Sequence, residues 1–336
     1  MTKFIIKRIL SGLLVLFGVV VVTFILQTVI PADPARTWVG QKATAEQLAR
    51  ARIELGLDKP LLEQFTTYLG NLLRGNLGVS YTTKRAIADE LAEKIPATFE
   101  LVFYGSLIGI VIGLIMGVLA AKHKDKPIDH IVRFLSIGLN SCPGFVLAII
   151  LQLIFYRSLH LLPLGDRISV QSSIMYKIPN ITGWLTIDSL LVGNMGLFKD
   201  AVLHLILPSL CIAPFLAGTV ARMTRSTLVE VLSEDYILAA RSYGIKEKRI
   251  MWHNALKNSI GTTATVTALA IATQLVSTFL TEMIFSWPGI GTFMANSVMG
   301  LNYPAIMAGT IFTTLCYLVL NLIADIIVGL DPRVRN

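Results

Sequence analysis

The sequence predicts an all-α integral membrane protein with six transmembrane helices and a small helical insertion after the first. Three observations predict it. The composition is 54% hydrophobic and 15% charged, with a mean hydropathy of +0.68, outside the range of a soluble globular domain. A chain of 336 residues can bury a large core, but not this much apolar side chain. Apolar runs recur at close to the ~20 residues needed to cross the hydrocarbon core, and Lys and Arg gather in alternate connections between them. The net charge of +8 is then a property of loops at one membrane surface, and no nucleic-acid partner is expected.

The first span, Ile9–Ile30, carries no charged residue and is closed by Pro31, Asp33 and Pro34. Its basic flank (Lys3, Lys7, Arg8) is that of a signal peptide, but the run is too long and no small-residue cleavage site precedes Pro31. An uncleaved anchor is expected. The further spans are Leu101–Ala121, Ile131–Tyr156, Val202–Val220, Ile260–Phe279 and Pro304–Val328. Pro143 and Gly144 interrupt the third, and Pro208 and Pro214 the fourth. Such breakers survive in membranes where neighbouring helices satisfy the freed backbone groups, which predicts kinked, packed helices. Cys142, Cys211 and Cys316 lie in apolar stretches without C-x-x-C spacing and read as small buried hydrophobes.

Orientation follows from the basic residues. The N-terminal tail, the loop after span two (Lys122, Lys124, Lys126, Arg133), the loop between spans four and five and the C-terminal tail (Arg333, Arg335) are basic. The connection Thr281–Tyr303 has neither Lys nor Arg. Both termini are therefore expected in the cytoplasm. The chain divides into a tail and first helix (1–30), an extracytoplasmic insertion (31–96), a core (97–328) and a cytoplasmic tail (329–336). The core includes a cytoplasmic loop (222–258) and an external loop (281–303).

The insertion is patterned. Thr44 and Gln47 read as a capping box opening a helix over Ala45–Leu55, with Gly56 as its stop. Leu61, Leu62, Phe65, Tyr68, Leu69 and Leu72 form an apolar stripe at helical spacing. Gly75, Asn76 and Gly78 precede a third short helix over Arg85–Ile95. The result is a small helical cap whose stripe is for packing. The later segment Leu162–Lys199, rich in Gly and Pro, reads as loop.

The cytoplasmic loop is the most strongly patterned stretch. Tyr236, Ala239, Ala240 and Tyr243 fall at i, i+3, i+4 and i+7, on one helical face. Two alanines there permit close approach of another surface. Gly244 is placed to end the helix in left-handed conformation, and Ile245–Leu256 to form a second helix.

Asp235-Tyr-Ile-x-Ala-Ala-Arg-x-x-Gly244, followed by His253, Leu256 and Asn258, resembles the EAA loop of ABC importer permeases, with Asp235 where the general motif has Glu. Ile30-Pro-Ala-Asp-Pro34, Glu54–Pro60, Gly75–Ser80, Arg222-Met-Thr-Arg-Ser226 and Thr281–Gly291 resemble the peptide and nickel branch of that family. The stretch Thr182–Asp188 leans towards its dipeptide members. The resemblance runs in order along the whole chain. It implies a type I importer permease fold in the cell inner membrane, acting as half of a translocation pathway for peptides, nickel or another small solute. The implied partners are a second homologous permease, two ATPase subunits that bind the EAA loops, and an extracytoplasmic substrate-binding protein. The residues implied in ATPase coupling are Asp235, Tyr236, Ala239, Ala240, Arg241, Gly244 and His253. Independently, the chain contains no G-x-x-x-x-G-K-[ST] phosphate loop. It is expected to bind no cofactor and perform no catalysis itself, with ATP and Mg held by the partner ATPases.

Several other residues carry two readings each. Trp287-Pro-Gly-Ile-Gly291 suits a re-entrant segment and reads either as a plug between spans or as an external gate with Glu282. Glu100 either sits at the interface or meets solute. His204 either lines the pathway or bonds a neighbouring helix. Asp325, sharing a face with Asn321, is a functional candidate or pairs with a basic neighbour. The five histidines lack metal-ligand spacing, and no G-x-S-x-G elbow occurs. The competing classes are a secondary transporter or channel, which commonly shows internal repeats not evident here, and a membrane enzyme, for which no catalytic constellation is present.

Overall fold

The computed structural model describes residues 2–29, 33–40 and 42–330. Of the motif at the end of span one, Ile30, Pro31 and Ala32 lie outside these residues, as do Gln41, Arg333 and Arg335. The helices are α1 (Thr2–Val29), α2 (Pro34–Val39), α3 (Ala45–Glu54), α4 (Leu61–Leu73), α5 (Ile87–Lys122), α6 (Pro127–Ser141) and α7 (Gly144–Leu151). A π-helical stretch, Gln152–Ser158, extends α7. There follow α8 (Val170–Met175), α9 (Leu185–Leu191), α10 (Met195–Leu232), α11 (Asp235–Ser242) and α12 (Glu247–Arg249). A second π-helical turn, Ile250–Ala255, leads into α13 (Leu256–Ser277), and α14 (Phe279–Ile284), α15 (Ile290–Met299) and α16 (Tyr303–Leu330) complete the described residues.

Among the described residues, five helices are long and apolar enough to cross a membrane, and the pair α6–α7 makes a sixth crossing if its two halves count as one. The third span is thus not one kinked helix over Ile131–Tyr156. Its halves meet at 97° around Cys142 and Pro143, because Pro143 has no N–H to continue the ladder and pushes the preceding residue to extended geometry.

The centre of the molecule is the pair α5 and α10, which run parallel. Gly105, Gly109, Gly113 and Gly117 form a ladder on α5 that lies against the α10 backbone. A Cβ at Gly113 would sit 2.7 Å from Ala217 O and from Val220 Cβ. Small residues in register let helices approach where lipid supplies no hydrophobic drive. The remaining long helices surround this pair, with α13 against α10 and α16, and α1 against α16. Asp325 on α16 pairs with Arg8 of α1 at 3.1 Å, so the pairing reading holds.

The insertion folds largely as its sequence dictates. Thr44 Oγ1 accepts from Gln47 N at 3.3 Å, and Gln47 Oε1 from Thr44 N at 2.9 Å. Gly56 follows α3 at φ +67°. Of the stripe on α4, Phe65 and Tyr68 pack on the first span, Phe65 edge-on to Phe24 at 5.2 Å and Tyr68 stacked on it at 6.2 Å, while Leu61 and Leu62 at the helix start stay exposed. The third helix is different: Ile87–Ile95 is the start of α5, which runs on through Pro96. The boundary between 96 and 97 therefore falls inside one helix.

Candidate functional site: the coupling loop and the opposite turn

The sequence-selected residues form two sites at opposite ends of the α5–α10 pair. The first lies where α5 ends and α10 delivers α11, beside Lys122, Lys126 and Arg225. Leu228, Ile237, Ala240, Ile250, Met251 and Ala255 pack there with Val118 and Ala121 of α5. This apolar seat fixes the loop to the body. Ala240 is part of it, buried beside Ile237, so its methyl group is not on the free face with Ala239. The correction has a plain cause: Ile237 and Ala240 are themselves i, i+3 neighbours and carry the apolar side of α11. Asp235, Tyr236, Leu238, Ala239 and Tyr243 remain exposed, Tyr243 at 86%.

The loop is shaped by hydrogen bonds. Gly244, at φ +71°, donates to Arg241 O at 2.9 Å, and Ile245 N to Ala240 O at 3.1 Å, the paired bonds of a Schellman stop. Arg241 Nε donates to Glu247 Oε1 at 2.8 Å across the turn, and Asn258 Nδ2 donates to Tyr236 Oη at 2.9 Å. The second helix is not a separate rod: Glu247 to Ser277 is one continuous helix including the π turn, so loop and span five are mechanically joined. His253 is exposed on that turn. Behind it, Asp129 of α6 takes Arg225 Nε and Nη2 of α10 at 2.5 and 2.6 Å.

At the opposite end, Glu282 is fully buried. Its Oε1 accepts from Thr98 Oγ1 at 2.6 Å, and its Oε2 from Gly291 N at 2.6 Å and Thr292 N at 3.3 Å. Thr98 Oγ1 in turn accepts from Ile290 N at 2.8 Å. The first three N–H groups of α15 are thereby satisfied by two side chains, one from α14 and one from α5, as a buried helix start requires. Trp287 is buried and donates Nε1 to Ala97 O at 2.8 Å. Pro288 is half-buried, and Gly289 packs against Glu282 and Thr98, leaving no room for a Cβ.

Glu100, one turn along α5 from Ala97, is buried rather than interfacial. It pairs with Arg167, whose guanidinium also lies 5.8 Å from the Trp287 ring centre, and accepts from Thr186 N at 2.9 Å. Asp188 collects Thr182 N and Oγ1, Ile181 N and Gly183 N at 2.6–3.0 Å. Burial pushes its carboxyl up, but these four donors outweigh burial and hold it below the usual carboxylate range. The segment 162–199 is therefore an ordered cap. His204 packs at 7% exposure with Nδ1 2.9 Å from Asp200 O, a bond within its own helix.

Beside the Glu282 turn, a cavity of about 550 Å³ opens between α13, α15 and α16. Thr273, Ser277, Thr310 and Thr314 line it, and among the described residues no charged side chain does. Among the described residues, no three His, Cys, Asp or Glu side chains gather to hold a metal.

The architecture is that of a membrane protein: a bundle of membrane-length apolar helices, with a cavity beside α13, α15 and α16 and a patterned loop seated at one end. Residues 109–336 match the family described as the binding-protein-dependent transport system inner membrane component, and residues 1–102 match its N-terminal part. The chain belongs to this family and is a multi-pass permease subunit of the inner membrane. It is 38% identical over 340 residues to the di/tripeptide transport system permease protein of Pseudomonas aeruginosa, covering 100% of this chain and 99% of that one. It is 38% identical to a probable D,D-dipeptide transport system permease protein of Escherichia coli, covering 96% and 94%. The glutathione transport system permease protein of Escherichia coli is 31% identical, covering 100% and 99%.

Proposed function

We propose that this permease carries dipeptides or similarly short peptides inward, with ATP hydrolysed by separate ATPase subunits docked on α11. The observation that carries the coupling half is the form of the loop: an apolar seat holds Ile237 and Ala240, while Asp235, Tyr236, Ala239 and Tyr243 stand free on a helix ended by a fixed turn. Such a helix transmits force, because movement of its outer face is passed to α10 and, through the continuous Glu247–Ser277 helix, to α13. The peptide half rests on the di- and tripeptide relatives and on the uncharged cavity wall. In this reading both termini and the loop face the cytoplasm, since the Lys and Arg side chains cluster at that end. A second homologous permease closes the open cavity, and an extracytoplasmic binding protein delivers solute to the end that carries Trp287, Pro288, Gly289 and Glu282. Those four act as the external gate. ATP and Mg are held by the ATPase subunits, and this chain binds neither.

The test is Ala239→Trp in the assembled importer. Ala239 is exposed, so insertion and folding are expected to survive while peptide uptake and peptide-stimulated ATP hydrolysis fall together. Unchanged coupling in a fully assembled Ala239→Trp complex contradicts docking on this face. Ala240→Trp is a poorer test, because it would also break the seat against α5.

A further inference from the structure

Interrupting a helix within the bilayer leaves the last carbonyls of one half and the first N–H groups of the other without intrahelical partners. Span three does this at Cys142 and Pro143. The second half, α7, begins without a side-chain cap. Val146 N and Leu147 N turn back to Pro143 O at 3.0 and 3.2 Å. The N–H groups of Gly144 and Phe145 find no acceptor among the described residues. A Cβ built at Gly144 meets nothing within 4 Å, so the approach to this stretch of backbone is open.

A cavity of about 210 Å³ lies at the break, lined by Asn140, Cys142, Gly144, Cys211, Gln274 and Thr281 among others, with no charged side chain among the described residues. Gln274 of α13 is 3% exposed. Its Nε2 makes one long bond, 3.4 Å, to Ile212 O, and its Oε1 has no partner. A buried acceptor left unpaired is costly and calls for a donor. Thr273 and Ser277, on the same helix as Gln274, and Thr278 just after its end line both this cavity and the larger one, so the two flank α13 together.

We infer that the break in span three is a transit site for an amide group of the solute. Gln274 Oε1 accepts the amide N–H, and the open start of α7 at Gly144 and Phe145 donates to the amide carbonyl. The site presents one acceptor and a pair of donors without net charge. It therefore suits a neutral peptide bond and offers neither a carboxylate for a cation nor a guanidinium for an anion. This rests on the peptide reading above.

The test uses the complete importer in proteoliposomes with dialanine as the probe and N-ethylmaleimide as the reagent, scoring alkylation of the exposed Cys142 by peptide mass. Dialanine is expected to slow Cys142 alkylation severalfold during turnover. Gln274→Leu should abolish that protection and raise the KM for dialanine roughly tenfold, the effect of one lost buried hydrogen bond. If Gln274→Leu does not assemble, Gly144→Val screens the Gly144 and Phe145 N–H groups and should likewise abolish protection. Alkylation unaffected by dialanine in a complex that transports it, a native KM in the variants, or a Cys142 that never reacts would each overturn the site. A native complex that takes up neither dialanine nor longer peptides overturns the peptide reading itself, and the amide assignment with it.

Discussion

Gly244 combines φ +71° with an absent Cβ that would meet nothing within 4 Å. A substitution there is strained by backbone conformation alone. Gly244→Val is expected to strain the turn by about 1–2 kcal/mol, lowering transport-coupled ATP hydrolysis while membrane insertion is unchanged; native coupling in this variant would mean the turn is not mechanically required. Glu282 is the converse case, a side chain satisfied by donors from two other segments. Glu282→Ala strips the acceptor from Thr98 Oγ1, Gly291 N and Thr292 N and should destabilise the fold by at least about 2 kcal/mol, read as a lower midpoint in thermal unfolding. Gly244 was legible in the sequence, because the residue after a short amphipathic helix has few conformational options. The Glu282 cradle was not: Thr98 is 184 residues away, and only the fold brings it there. The inward turn of Ala240 was available in principle, from Ile237 three residues before it.

The helix ends and spans could be read from local rules, as the Thr44–Gln47 capping box and the Gly56 stop show. What could not be read is which faces meet. Gly105, Gly109, Gly113 and Gly117 repeat at four-residue spacing in plain view, but the α10 face they fit is not encoded beside them. Gly113→Val is expected to overpack this contact by about 1–3 kcal/mol, lowering the yield of folded protein in detergent; unchanged thermal stability would show that the two helices are not locked by this ladder. Pro96 misled for a related reason. It marks a helix end by local rules, yet α5 continues because the turn around it is held by Trp287 Nε1 on Ala97 O and by Thr98 on Glu282. In the cap, Asp188 is held below its usual range by its four donors. A depressed carboxyl contributes stability that is present above its unfolded pKa of about 3.9 and is lost as pH falls through the folded value. Hydrogen exchange of the Ile181, Thr182 and Gly183 amides, corrected for intrinsic rate, should therefore stay slow down to about pH 4 and accelerate below it. Protection that does not change on acidification would contradict the role given to Asp188.

At the scale of the whole molecule, the α11 loop and the Glu282 turn sit at opposite ends of the same two packed helices, with the open cavity beside the Glu282 turn. In the proposed function, that layout couples an event at one membrane surface to access at the other, with the ATPase subunits at the basic end. The central claim is tested most directly by dialanine uptake into proteoliposomes holding the native importer, with ATP and binding protein supplied and all ion gradients collapsed. The account predicts uptake that requires ATP and the binding protein and persists without an ion gradient. Uptake driven by an ion gradient in the absence of the ATPase subunits would contradict it.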